Sequence, residues 1–229
     1  MKSLPGPNAE RWHAASGYLV VLFGVAGAAF ERGSPPANAP VDQLMTFVAI
    51  YRRELLAQSV LFVLSAGTYL WFYGALRTVL QRTEGGTGRL SAIAFGAGIV
   101  SVALQMVFQG TQVAVAITAR DAMEPSVVAL SAALMWALSV IAYVPLAVML
   151  GAVSAVSLRY GAFPRWLGWF SALTAIAHLV MALGLAAERG PLAPGGALTY
   201  LLYALLLVWL LTITTLMVRR PRDTTGTSR

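Results

Sequence analysis

Apolar positions in this chain come in long unbroken runs, and charged residues mark where each run stops. The runs cover residues 14–30, 55–76, 90–119, 125–158, 166–187 and 198–218. A helix needs roughly 17 to 25 apolar residues to cross the hydrocarbon core of a bilayer, so each run is long enough to span. The pattern predicts an all-α, polytopic transmembrane helical bundle of six spans. These spans form a single integral membrane domain, residues 1–218, followed by a basic tail, residues 219–229. The first run is the shortest. Pro5, Gly6 and Pro7 precede it, and FERGSPP follows with no A-x-A cleavage site, so it reads as a span and not as the apolar region of a signal peptide.

Between the runs, TEGGTGR and RYGAFPR are short connections in which glycine and proline end one helix and turn the chain. The connection from Glu31 to Arg53 is longer. Its front half, GSPPANAP, is proline-rich and extended, whereas Val41, Leu44, Met45 and Val48 recur at the i, i+3, i+4, i+7 spacing of an apolar helical face. A short outer surface helix is therefore expected between spans one and two, or an outward extension of span two. Such a segment either packs over the bundle or works as a lid. No internal repeat of the kind that builds transporters is visible.

Composition strengthens the membrane assignment. The chain is 58% hydrophobic and 11% charged, with mean hydropathy +0.72, against roughly 25% charged residues in soluble domains. The placement of the charges then orients the bundle. With six spans, eleven Lys and Arg fall on the side of the termini and five on the other, while the acidic residues divide three and six. By the positive-inside rule both termini are cytoplasmic. Trp71, Tyr73, Tyr160, Trp166 and Trp169 would form an inner aromatic belt, with Tyr200 and Tyr203 at the outer face. The formal charge of +7 is thus topological; no basic stripe interleaved with aromatics points to nucleic acid.

Several chemistries are excluded by residue type. There is no cysteine, and the one lysine, Lys2, lies outside every run, so thiolate chemistry and an intramembrane Schiff base have no residue to form on. Two histidines in different spans, with no H-E-x-x-H, cannot build a zinc protease, a di-iron site or a bis-histidine haem site. No cofactor is expected. No span carries Asp, Glu, Lys or Arg at its middle, which argues against proton- or sodium-driven transport.

What remains is neutral and polar. LQMVFQGTQ, residues 104–112, places Gln105, Gln109 and Gln112 within an arc of about 60° on one helix face, and Gly98 and Ser101 extend the stripe. This face must look into the bundle, since an amide against lipid leaves its donors and acceptors unsatisfied. Ser65, Thr68, Tyr143 and His178 sit at similar depth, and Pro145 frees the Ile141 carbonyl. Two readings stay open: interhelical glue or the lining of a pocket. The candidate ligand-binding residues are Gln105, Gln109, Gln112, Tyr143 and His178, with Arg52, Arg53, Glu54 and Gln58 at an outer mouth. His178 is either a hydrogen-bonded packing residue or an acid–base group. Ser171 lies two turns from it, about 10 Å along the axis, which does not make a catalytic dyad.

The Ala-, Val-, Leu- and Arg-rich chain, its proline-rich first outer loop and the motif LWFYGALR at residues 70–77 together resemble the small six-span membrane proteins of unknown function found in high-GC, actinobacterial-type bacteria. The resemblance implies a bacterial cytoplasmic membrane location and carries no activity across. The expectation is a non-enzymatic protein that binds or passively passes a small amphipathic or lipidic molecule. The alternatives are a membrane enzyme acting on a lipophilic substrate, with His178 or Glu54 as acid or base, and an accessory subunit. The expected partners are the lipid bilayer, such a ligand and, with Gly24 and Ala28 suited to close helix packing, further copies of the chain.

Overall fold

The computed structural model describes residues 7–36, 39–119, 124–186 and 197–220, and it is all helical, with 87% of residues in helices. Eight α-helices follow in order: α1 (Pro7–Ala28), α2 (Val41–Ile50), α3 (Arg52–Glu84), α4 (Arg89–Thr118), α5 (Pro125–Ile141), α6 (Tyr143–Tyr160), α7 (Arg165–Ala182) and α8 (Ala197–Val218). One 3-10 turn, Leu183–Ala186, extends α7. The expected tail from residue 221 onward, and the outer charges Arg120, Asp121, Glu188 and Arg189, lie outside the described residues.

The helix ends follow from local chemistry. Gly85 (φ +66°) stops α3, and Gly88 (φ +60°) turns the chain into α4, conformations that a side chain would strain. The Glu84 carboxylate crosses this turn and accepts the backbone N–H groups of Leu90 and Ser91, both at 2.8 Å. Those are among the donors that the first turn of α4 leaves free, so Glu84 caps α4 and its negative charge meets the positive end of the helix dipole. Pro125 opens α5, and Pro164 stands just before α7, positions where a missing N–H costs nothing.

Helix packing closes a ring. α8 lies on α1, α1 on α3, α3 on α4, α4 on α6, α6 on α7, and α7 returns to α8. α5 flanks α4, and α2 rests chiefly on α5, with smaller contacts to α3 and α4. The ring therefore has an end covered by α2 and a far end carrying the connections from α3 to α4 and from α6 to α7. The main core fills its middle and far half with Phe72, Leu76, Leu150, Val153, Leu167, Trp209 and Ile213. A smaller cluster of Val48, Leu55, Val115 and Ala116 sits under α2.

Among the described residues five helical segments are long and apolar enough to cross a membrane, with α5 and α6 counted as one segment, Pro125–Tyr160, and the apolar stretch Trp12–Ala28 of α1 shorter than these. The outer faces suit lipid: Leu130, Leu173, Val107 and Leu201 are more than half exposed. At the far end Trp71, Tyr160, Trp166 and Trp169 stand out from the surface, where the aromatic belt was expected, whereas Tyr73, expected in that belt, is buried in the core against Gly98 of α4. Tyr203 differs from the expectation that it marks the outer face. Its ring turns inward, and its hydroxyl is buried beside Gly24 of α1.

Two further expectations resolve into detail. α2 is a helix of its own: Tyr51, at φ −101° and ψ 21°, interrupts the chain between it and α3. The run 125–158 is interrupted at Ala142, three residues before Pro145. Pro145 has no N–H to give the Ile141 carbonyl, so the helix loses one bond at that point.

Candidate functional site

α4 presents its polar stripe to α3, and the two helices run antiparallel. The close pairs Gln112 with Ser59 and Gly98 with the Tyr73 ring set their register, which places Gln109 opposite the turn around Phe62. Gly98 is required by this approach, because a Cβ there would come within 2.9 Å of Tyr73.

The three glutamines meet different surroundings. Gln112 is 7% exposed. Its Nε2 donates to the Leu55 carbonyl at 3.2 Å, to Gln58 Oε1 at 3.0 Å and to Ser59 Oγ at 2.9 Å. Gln58 in turn donates to Glu31 Oε2 at 3.4 Å. Glu31 Oε1 accepts the N–H of Arg32 at 3.1 Å and both the N–H and hydroxyl of Ser34 at 2.9 Å. A continuous chain of hydrogen bonds thus runs from the extended segment after α1, through α3, into α4. Partial burial pushes the Glu31 carboxyl up, but the donors from Ser34, Gln58 and Arg32 outweigh it and hold the group below the usual glutamate range.

Gln109, one turn nearer the bundle middle, is 2% exposed, and its Oε1 has no hydrogen-bond partner. Gln105 is half-buried. Below them Ser101 Oγ reaches the Ala142 carbonyl at 3.5 Å, at the interruption between α5 and α6. Tyr143 begins α6 there, and its ring meets His178 of α7 edge-on at 5.7 Å. Ser101, Tyr143 and His178 therefore share one level. Gln105 and Gln109 stand about 6 Å and 12 Å above it toward the α2 end, at 1.5 Å per residue.

His178 is 1% exposed, and its Nδ1 lies 2.7 Å from the Thr174 carbonyl. A carbonyl only accepts, so Nδ1 carries the proton and the neutral ring presents Nε2 as an acceptor. Ser171 is committed elsewhere: it donates to the Leu167 carbonyl and accepts the Trp209 indole N–H, both at 2.8 Å. This second bond ties α7 to α8, and Ser171 and His178 form no dyad.

The residues expected at an outer mouth separate. Gln58 belongs to the Glu31–Gln112 chain. Arg52 Nε donates to the Ala116 carbonyl at 2.8 Å, satisfying one of the last carbonyls of α4 with a cation, as the dipole favours. Arg53 is exposed, and Glu54 lines a crevice too narrow to hold a water molecule, with Glu31, Arg32, Phe47 and Gln58. A wider surface cleft of about 480 Å³ lies between the extended segment after α1 and α2, lined by Arg32, Asp42, Phe47 and Tyr51 among others. Neither cleft includes Gln105, Gln109, Gln112, Tyr143 or His178. Among the described residues no group of His, Asp and Glu is arranged to hold a metal ion.

Three contributors escaped the sequence reading. Glu31 and Ser59 join the network only through the register of α1, α3 and α4, which no spacing in the sequence encodes. Thr199 of α8 lies toward the Tyr143 hydroxyl, its own Oγ1 buried and without a hydrogen-bond partner. Comparison with known protein families, with curated proteins and with solved structures returns no match.

Proposed function

We propose that this chain is a six-span protein of the bacterial cytoplasmic membrane, with both termini cytoplasmic, that binds or passively passes a small amphipathic or lipidic molecule without chemical change. The sixth span is α1, whose 22 residues extend about 33 Å at 1.5 Å per residue, close to the roughly 30 Å of a bilayer core. The asymmetry of Lys and Arg supports the orientation. The binding region is the neutral polar stretch that rises about 12 Å from Ser101, Tyr143 and His178, beside the helix interruption at Ala142, through Gln105 to Gln109. Interrupted helices at membrane depth are tolerated where protein or a cavity surrounds them, and they recur beside binding sites.

One observation carries this reading: Gln112 and Gln109 lie on the same face, yet the Gln112 amide nitrogen makes three hydrogen bonds while the Gln109 carbonyl is buried without a partner. Glue accounts for the first and leaves the second unexplained. The test compares Gln109→Leu with Gln112→Leu in mild detergent, reading melting temperature and, by native mass spectrometry, any co-purifying small molecule. Gln112→Leu should melt lower than the parent. Gln109→Leu should keep the parent melting temperature and lose the bound molecule. Equal destabilisation by both variants, with nothing bound to the parent chain, would remove the reading in favour of a dry accessory subunit.

A further inference from the structure

Buried polar side chains without partners are few in any protein. Among the described residues four such atoms occur: Gln109 Oε1, Thr199 Oγ1, Tyr203 OH and Thr214 Oγ1. Helix packing accounts for two of them, and a third, Thr199 Oγ1, faces the Tyr143 hydroxyl between α8 and α6. Thr214 Oγ1 is pressed against α1 at Gly17, where an added Cβ would collide with it, and the Tyr203 hydroxyl would lie 2.9 Å from a Cβ on Gly24. These hydroxyls sit where α1 and α8 approach most closely, and there is no space for a further molecule. Gln109 is in a different position, on α4 opposite the turn of α3 around Phe62, and its unpartnered atom is a carbonyl oxygen, which can only accept.

The chemistry around that oxygen narrows what can meet it. About 12 Å below at 1.5 Å per residue, too far for one hydroxyl to meet both, His178 offers Nε2 as a separate acceptor, because its proton is held on Nδ1 by the Thr174 carbonyl. No Lys or Arg occurs in residues 90–119, 125–158 or 166–187, so a phosphate or carboxylate brought here would face lone pairs and no counter-charge. No Asp or Glu occurs in those stretches either, so an ammonium group would be equally unpaired at a depth where desolvating a charge is most costly. A neutral donor fits the Gln109 acceptor. The flanking surface of α4, Met106 and Val107, is apolar and open to lipid, which suits a hydrocarbon body entering laterally from the bilayer.

We propose that Gln109 Oε1 is the acceptor for the hydroxyl of a neutral lipophilic alcohol that enters between the helices from the lipid phase. This rests on the ligand-binding reading above and adds the class of ligand to it. It also explains why the polar layer contains amides, hydroxyls and an imidazole and no charged side chain.

The experiment uses the full chain in lipid nanodiscs and three probes of one skeleton: farnesol, farnesyl methyl ether and farnesyl phosphate. Farnesol should bind at least about tenfold more tightly than the ether, since the two differ by one hydrogen bond and a factor of ten corresponds to about 1.4 kcal/mol. The phosphate should bind no better than the ether. Gln109→Leu should abolish the preference, leaving alcohol and ether equal, which a purely structural role for Gln109 would not do. Gln109→Met serves as a second variant if Leu disturbs folding, and the alcohol-to-ether ratio on the parent chain is decisive by itself. Ether or phosphate binding as tightly as farnesol, or a ratio that survives loss of Gln109, overturns the alcohol assignment while leaving ligand binding intact. Failure of all three probes, with no amphiphile co-purifying, overturns the function proposed above as well.

Discussion

Gln112 makes three contacts through one amide nitrogen that carries two hydrogens, so one of its bonds is shared between acceptors. Removing it strands Gln58 Oε1 and the buried Ser59 hydroxyl in a region without water. Gln112→Leu is expected to cost about 1–2 kcal/mol, above the average of about 0.6 kcal/mol for single interhelical bonds in membranes, and calorimetry in detergent would measure it. Glu31 adds a pH dependence. Its folded pKa is depressed, so its contribution is complete at neutral pH and is lost as pH falls through that depressed value. The stability advantage of the parent over Glu31→Gln should therefore be constant above about pH 5 and vanish in stronger acid; an advantage that grows on acidification would refute the assignment. How far this was legible in the sequence differs between residues. The helical period alone placed three glutamines on one inward face. Which of them is engaged depends on the partner helix standing opposite, and no residue spacing reveals that.

At the scale of elements, the α1–α3–α8 contact depends on small residues. Phe72 and Thr214 press on α1 at Gly17, and Phe62 presses at Gly27 with its ring 3.2 Å from an added Cβ. Without a hydrophobic difference between helix and lipid, such close approach is what holds membrane helices together. Gly17→Val should lower the melting temperature sharply, whereas Gly74→Ala, with nothing within 4 Å of its Cβ position, should leave it unchanged; equal effects would refute this packing. The apolar runs located the helices because charges and Gly–Pro turns bounded them. They did not separate α5 from α6, since the interruption is one residue wide and apolar on both sides, and only Pro145 hinted at it. The expectation that Tyr203 marks the outer face likewise failed, because Gly24 of α1 leaves room for its hydroxyl between the helices.

For the molecule as a whole, the absence of cysteine from all 229 residues makes topology directly measurable. Gln43→Cys on α2 and Thr87→Cys in the connection from α3 to α4 are both exposed positions at opposite ends of α3. With an impermeant maleimide applied to intact cells, Gln43→Cys should label and Thr87→Cys should label only after lysis; the reverse result would invert the orientation.

The order in which the ring closes has a consequence for biosynthesis. α1 rests on α3, which leaves the ribosome soon after it, and on α8, which leaves after α4 to α7. The Gly17 and Gly24 face of α1 therefore waits, half covered, through the synthesis of the five helices from α4 to α8. During that interval the nascent bundle is an open crescent whose two edges, α1 and α7, face lipid or other membrane chains. An assembly factor or a second nascent copy would find its opportunity there, and a chain truncated before residue 197 would hold that edge open permanently.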